Sequence, residues 1–188
     1  MGTQGKKLTE IHAAWVEANL LKSLLEKHGV RVVMTKNREG ERVSNRRRAE
    51  IANRAKAHLM IRLHCDAASG SGFTNYYPAQ PGKVGSVSGP SKWVIAESRR
   101  KATAFHLAMA KALSGRLKNN GLRGDRATHI GAKQGALTGS IFSHVPVLLC
   151  EMVVLTNPQD EAFLSSQTGR NQMAQALYKG VLAALKKG

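Results

Sequence analysis

The chain has 188 residues, 42% of them hydrophobic, so it is the size of one ordinary domain and can bury a core without disulfides or a partner subunit. Its 29 Lys and Arg against 12 Asp and Glu give a net charge of +17, which favours an anionic partner, and two cysteines, Cys65 and Cys150, exclude a disulfide framework or a cysteine-rich zinc module. No run of 18 apolar residues occurs, and Lys6, Lys7, Glu10 and Glu17 interrupt the stretch that a signal peptide needs, so the chain as written is expected to be soluble with no signal peptide of its own.

From Thr9, the apolar residues Ile11, Ala14, Trp15, Ala18, Leu21 and Leu25 recur at helical spacing, and Gly29 stands where a helix end favours a left-handed residue. The β-branched run Val30–Thr35 (VRVVMT) predicts a strand, Asn37–Glu41 a polar loop, and Ser44 the N-cap of a second helix reaching about Lys56. Leu59–His64 (LMIRLH) predicts a strand ending on His64, followed by a loop of small residues from Ala67 to Gly72, and Phe73–Tyr77 offers a further short strand. Pro78–Ser91 is rich in Pro, Gly and Ser and long for a plain connection, so it is expected to be a lid or an ordered surface loop that shapes access to a site. A helix is predicted from about Ile95 to Leu117, closed by Gly121, with Phe105, Ala108, Met109 and Ala112 on one face. After a loop through Gly139, Val145–Cys150 (VPVLLC) reads as a buried strand leading into Glu151. Arg170–Leu185 reads as the last helix, with Met173, Leu177, Val181 and Ala184 at core spacing. Strands alternating with helices, with no internal repeat and no boundary, predict an α/β fold: one layered domain over residues 1–188, with a central mostly parallel or mixed sheet flanked by helices.

The charge alone suggests nucleic acid. However, the basic residues are spread along the chain, aromatic residues make up only 5% of it, and neither zinc-finger spacing nor an RNA-recognition signature is present. No nucleic-acid partner is expected. In open α/β sheets, sites collect at the carboxyl ends of strands, and His64 and Glu151 each follow an apolar run there, while Glu10 opens the first helix at what should be the same edge. An imidazole and a carboxylate so placed are competent zinc ligands, with a further carboxylate as general base. Equally, a histidine after a strand is often a satisfied structural residue, and a glutamate at a helix start is often stabilised by the helix dipole.

A resemblance covers nearly the whole chain. Val43–Ala67 (VSNRRRAEIANRAKAHLMIRLHCDA), Val145–Pro158 (VPVLLCEMVVLTNP) and Gly5–Glu10 (GKKLTE) occur in the order found in zinc-dependent N-acetylmuramoyl-L-alanine amidases, which the chain therefore resembles. Arg48, Ala52, Asn53, Ala57 and His64 match the helix R-x-x-x-A-N and the strand S-I-H-x-N of that family; Glu151 and Asn157 match P-x-x-L-x-E-x-x-F-x-x-N; Glu10 matches G-x-x-E in a stretch two residues longer. The resemblance implies one zinc ion with Glu10 and His64 among its ligands and Glu151 as catalytic base. It also implies peptidoglycan as partner and a periplasmic or extracellular setting; the charge of +17 adds anionic wall polymers as expected further partners, and a monomer is expected. The reaction implied is hydrolysis of the amide joining N-acetylmuramic acid to L-alanine of the stem peptide.

His58 stands where that family has Asp, Arg62 where it has Ser, Asp66 where it has Asn and Val154 where it has Phe, departures that bear on packing and substrate contacts. The family also opens with a strand ending D-P-G-H-G, whose histidine is the first zinc ligand. This chain begins after that point, so the ligand is expected upstream of Met1. His12 is no substitute, because two residues along a helix turn it away from Glu10. His129 reads as a residue of a solvated loop that stands near a cleft, and Cys65 and Cys150 as small buried fillers on the other face of their strands. Two alternatives stay open: an amidase-like domain that binds peptidoglycan without cutting it, and a basic nucleic-acid-binding protein.

Overall fold

A computed structural model of the chain describes residues 2–186. Helix α1 (Glu10–Glu26) starts where the Thr9 hydroxyl accepts the His12 amide, and α2 (Asn45–Arg54) starts where Ser44 accepts the Arg47 amide. The strands β1 (Met60–Asp66) and β2 (Phe73–Tyr77) follow, then a hairpin of β3 (Gly82–Val84) and β4 (Val87–Gly89). Next come α3 (Lys92–Ala112), β5 (Asn119–Gly124), a 3₁₀ turn at Asp125–Ala127, α4 (His129–Gln134), α5 (Thr138–Ile141), β6 (Val147–Val154), α6 (Pro158–Ser165) and α7 (Gln167–Leu185).

The main sheet has the order β1-β6-β2-β5, with β1 parallel to β6, β2 antiparallel to β6 and β5 parallel to β2. It is a mixed sheet, as expected. Strand alternation divides its side chains between two faces. Cys65 of β1, Leu148, Cys150 and Met152 of β6, and Phe73 of β2 join Phe105 and Met109 of α3 and Met173 and Leu177 of α7 in the principal core. The other face carries Met60, Arg62 and His64 of β1, Leu149 and Glu151 of β6, and Thr74 and Tyr76 of β2. Two small clusters cover part of it: Ala52, Met60, Val145 and Val147 under α2, and Tyr76, Leu137 and Leu149 before α5.

Four expectations change. Val30–Thr35 forms no ladder among the described residues; Val30 and Val32 pack on the core while Val33 is exposed, so the alternation marks burial without a paired backbone. Glu151 lies inside β6 and not after it, because the apolar run continues through Val154. The region from Asn119 to Gly139 is not a plain loop but holds β5, the 3₁₀ turn, α4 and α5, and Gly121, placed at a helix end from its sequence, lies within β5 at φ 92°. Pro78–Ser91 is a hairpin packed on α4 and α5. It leaves β2 at the end that pairs toward the start of β6, so it stands on the edge away from Glu151, which favours the ordered surface element over the lid.

Candidate active site

The parallel ladder sets His64 of β1 beside Glu151 of β6, and the antiparallel ladder sets Thr74 of β2 beside the same glutamate. Glu10, in the first turn of α1, reaches this edge from the other side, and His64 Nδ1 donates to Glu10 Oε1 at 2.7 Å. The second Glu10 oxygen accepts the Thr3 amide at 2.8 Å. Burial alone would raise the Glu10 carboxyl, but the His64 hydrogen bond and charge, with the Thr3 and Cys65 amides, outweigh it and hold the group below its ordinary value. Glu10 is therefore an anion, and its proton partner is the Nδ1–H of His64.

The segment before α1 is held to the body of the protein. Gln4 and Thr9 form an isolated antiparallel bridge, and Glu161 at the start of α6 accepts the Lys7 and Leu8 amides, the latter at 2.9 Å. Gly5 is required there, since a Cβ would lie 2.9 Å from the Leu155 carbonyl oxygen and against the Glu161 carboxylate.

Glu151 differs from Glu10 in every respect that sets a proton affinity. Its Oε2 is buried without a hydrogen-bond partner, and burial, then Asp66 and Glu10, push it up to about 8 against a weaker pull from Arg62. Two carboxylates at one edge thus have opposite tendencies, one held as an anion and one inclined to keep a proton, which is the arrangement expected of a ligand beside an acid–base group.

Arg62 lies on the same face two residues before His64 and is 7% exposed. Its Nη2 donates to Asn45 Oδ1 at 3.1 Å, its Nε and Nη1 lack partners among the described residues, and Gly139 packs on the guanidinium where a Cβ would approach to 3.1 Å. Burial, then the charge of Arg48, lowers it to about 10 while Glu151, Asp125 and Glu10 pull the other way. The sequence marked Arg62 only as a departure from the family pattern; its burial under α5 depends on register and on a distant glycine.

The three candidate residues Glu10, His64 and Glu151 therefore share one edge, although Glu151 makes no hydrogen bond to the other two. Glu10 and His64 have the donor chemistry of a zinc site, but no group of three or more His, Cys, Asp or Glu able to hold a metal occurs among the described residues. The pair fits two positions of a donor set that usually has three. His12 points away from this edge and meets Glu39 at 3.2 Å. His129 is exposed at the start of α4, and Cys65 and Cys150 are buried in the principal core.

Other motif residues act as scaffold. Asn53 donates to the Phe142 carbonyl at 2.9 Å and accepts the His144 amide at 2.8 Å, tying α2 to the turn before β6. Asn157 caps α6 and donates to the Gly70 carbonyl at 3.1 Å. Asp160, which sequence reasoning missed, is 3% exposed and accepts the Gly72 and Val154 amides at 2.7 and 2.9 Å, joining the ends of the loops that follow β1 and β6.

Against known proteins, residues 1–183 match the family model described as N-acetylmuramoyl-L-alanine amidase. An N-acetylmuramoyl-L-alanine amidase of Mycobacterium tuberculosis is 28% identical over 181 residues, which are 91% of this chain and 66% of that protein, just under two thirds of its length. The apo form of the N-acetylmuramyl-L-alanine amidase Ami1 from Mycobacterium abscessus superposes with a TM-score of 0.79 at 26% identity, covering 98% of this chain and 82% of that one. The catalytic domain of CwlV, an N-acetylmuramoyl-L-alanine amidase from Bacillus (Paenibacillus) polymyxa var. colistinus, shares the fold with a TM-score of 0.75 at 22% identity, covering 96% and 88%.

Proposed function

The chain belongs to the N-acetylmuramoyl-L-alanine amidase family, and from that premise we propose that it hydrolyses peptidoglycan at the amide between the lactyl group of N-acetylmuramic acid and L-alanine. The observation that carries this reading is the hydrogen-bonded pair Glu10 and His64 on the same sheet edge as the buried carboxyl of Glu151. Zinc, when bound, supplies Lewis-acid activation of water and of the scissile carbonyl. Glu10 and His64 are the residues that would hold it, completed by a donor the described residues do not supply.

Ionised Glu151 takes the proton of the attacking water, and its raised proton affinity draws that proton across. The water oxygen bonds to the lactyl carbonyl carbon, the carbon–nitrogen bond breaks, and the Glu151 proton passes to the leaving amine of L-alanine. The glycan keeps a free lactyl carboxylate and the peptide a free amino terminus. Glu10, held as an anion, supplies negative charge beside His64 at this edge. The setting proposed is periplasmic or extracellular and the working form a monomer; no helix among the described residues is long and apolar enough to cross a membrane.

A second reading, favoured by the two-donor count, is a domain that binds peptidoglycan without cutting it. One experiment separates the two. Purified sacculi are incubated with zinc-loaded and with chelator-treated protein, and new L-alanine amino termini and bound protein are both measured. Release that needs zinc supports the hydrolase. Binding with no new amino termini at any zinc level supports the second reading, and absence of both overturns the two together.

A further inference from the structure

The edge of the sheet opposite Glu10, His64 and Glu151 carries a groove that hydrolysis leaves unused. The chain entering β1 at Ala57 and His58 and the chain entering β6 at Val145 and Pro146 meet the end of α2 and the first turns of α3 around a cavity of about 450 Å³. Trp93 stands on its wall with 61% of its surface exposed, an unusual position for the largest apolar side chain. A second cavity of about 600 Å³, walled by the hairpin, Phe142 and Lys92, shares His144 with the first. Space of this extent suits several units of a polymer.

Lys56 on the rim makes a separate argument. Helix α2 ends with the Ala57 amide on the Ala52 carbonyl at 3.1 Å and the Lys56 amide on the Asn53 carbonyl at 3.0 Å, a closure whose crossing residue has positive φ. Lys56 takes that place at φ 47°, the one non-glycine residue with positive φ among the described residues. A side chain there carries a backbone strain that glycine would not. Lys56 is exposed and lines the cavity, which places a strained cationic residue on its rim. Lys101 also lines the cavity but is buried, with its Nζ committed to the Ala184 carbonyl at 3.1 Å, so the exposed cation is Lys56, and the lining carboxylate Glu97 is held by Arg100 at 2.9 Å.

We propose that this groove binds the peptide-free glycan strand, with a sugar ring stacked on Trp93 and a lactyl carboxylate at Lys56. The assignment rests on the proposed hydrolysis, which turns each lactyl amide it cuts into a carboxylate and so makes the product glycan a regularly spaced polyanion. An exposed indole offers a flat apolar plate to the C–H face of a pyranose, and a basic rim selects the carboxylated strand over a neutral one. The groove holds the protein on strands it has already stripped, next to strands still carrying peptide.

The test measures binding of three probes to the full chain: peptide-free glycan prepared with an independent amidase, neutral N-acetylglucosamine oligomers of equal length, and a single-stranded oligonucleotide. The wild type is expected to bind the peptide-free glycan most tightly. Trp93→Ala should weaken both sugar probes by about tenfold, and Lys56→Gly should weaken the carboxylated strand by about threefold while sparing the neutral one. Lys56→Gly relieves the backbone, so a folding defect cannot imitate the result, and neither change should alter hydrolysis of a soluble muramyl peptide. Equal binding by wild type and both variants, no binding of the glycan, or preference for the oligonucleotide overturns the proposal. Because the glycan is made beforehand, loss of hydrolysis with intact binding counts against the amidase reading alone, and hydrolysis without glycan binding counts against the groove alone.

Discussion

At the scale of single residues, two buried carboxyls lead to different predictions. Glu151→Gln removes the proton acceptor while keeping shape, so stem-peptide release from sacculi should fall by about 10²- to 10⁴-fold with the fold and the Glu10–His64 pair intact; full release would remove Glu151 from the mechanism. Glu17, on α1, has no exposed surface and no hydrogen bond to either oxygen, and burial pushes it up to about 8 although Arg170 pulls it down. The folded state therefore binds a proton that the unfolded chain, titrating near 4.5, has already lost. Stability falls as pH rises through the interval from about 4.5 to about 8, at up to about 1.4 kcal/mol per unit, and is unaffected by this group below it. Glu17→Gln should flatten that slope and raise the melting temperature at pH 8 relative to wild type; parallel curves of melting temperature against pH would contradict it. The convergence of Glu10 and His64 was legible because a helix start and a strand end are local features. The burial of Glu17 was not, since it depends on how α1 packs on α7 and β1, elements distant in the chain.

At the scale of elements, α3 and α7 make the most extensive pairing in the fold, and Gly180 is where they approach. A Cβ there would lie 2.7 and 2.8 Å from ring atoms of Phe105, which is completely buried and cannot withdraw. Gly180→Ala gains about 1 kcal/mol of helix propensity but overpacks the contact at a cost of about 1–3 kcal/mol, so a net loss is expected in urea unfolding; a more stable variant would show that the helices can separate without penalty. Helices α1, α2 and α7 were legible because their caps and apolar spacing are strong. Strand β5 was not, because NNGLRG carries two Asn and two Gly and pairs only at the sheet edge with β2. The sequence of the hairpin β3–β4 leaves a lid and an ordered surface loop both open, because turn residues report chain reversal and not location. What decides its place is the antiparallel direction of β2, a property of the whole sheet.

At the scale of the whole molecule, the charge of +17 is spread over the surface and acts mainly at long range. Raising salt from about 0.05 to about 0.5 M shortens the screening length several-fold, so attachment to intact sacculi should weaken markedly while cleavage of a small neutral muramyl peptide changes little. Equal salt sensitivity of the two would place the charge effect inside the site instead. The mixed sheet has a consequence in time as well as space. Strand β6 is enclosed by β1 and β2 and packed on the principal core, so its amide protons should be among the last to exchange with deuterium, released only by global unfolding. Glu10 lies instead in the first turn of α1, bonded to His64 and Thr3, and a helix end opens locally, so its amide should exchange earlier than those of β6. The acid–base group is thus built into the part of the protein expected to open last, and Glu10 into a helix end expected to open sooner.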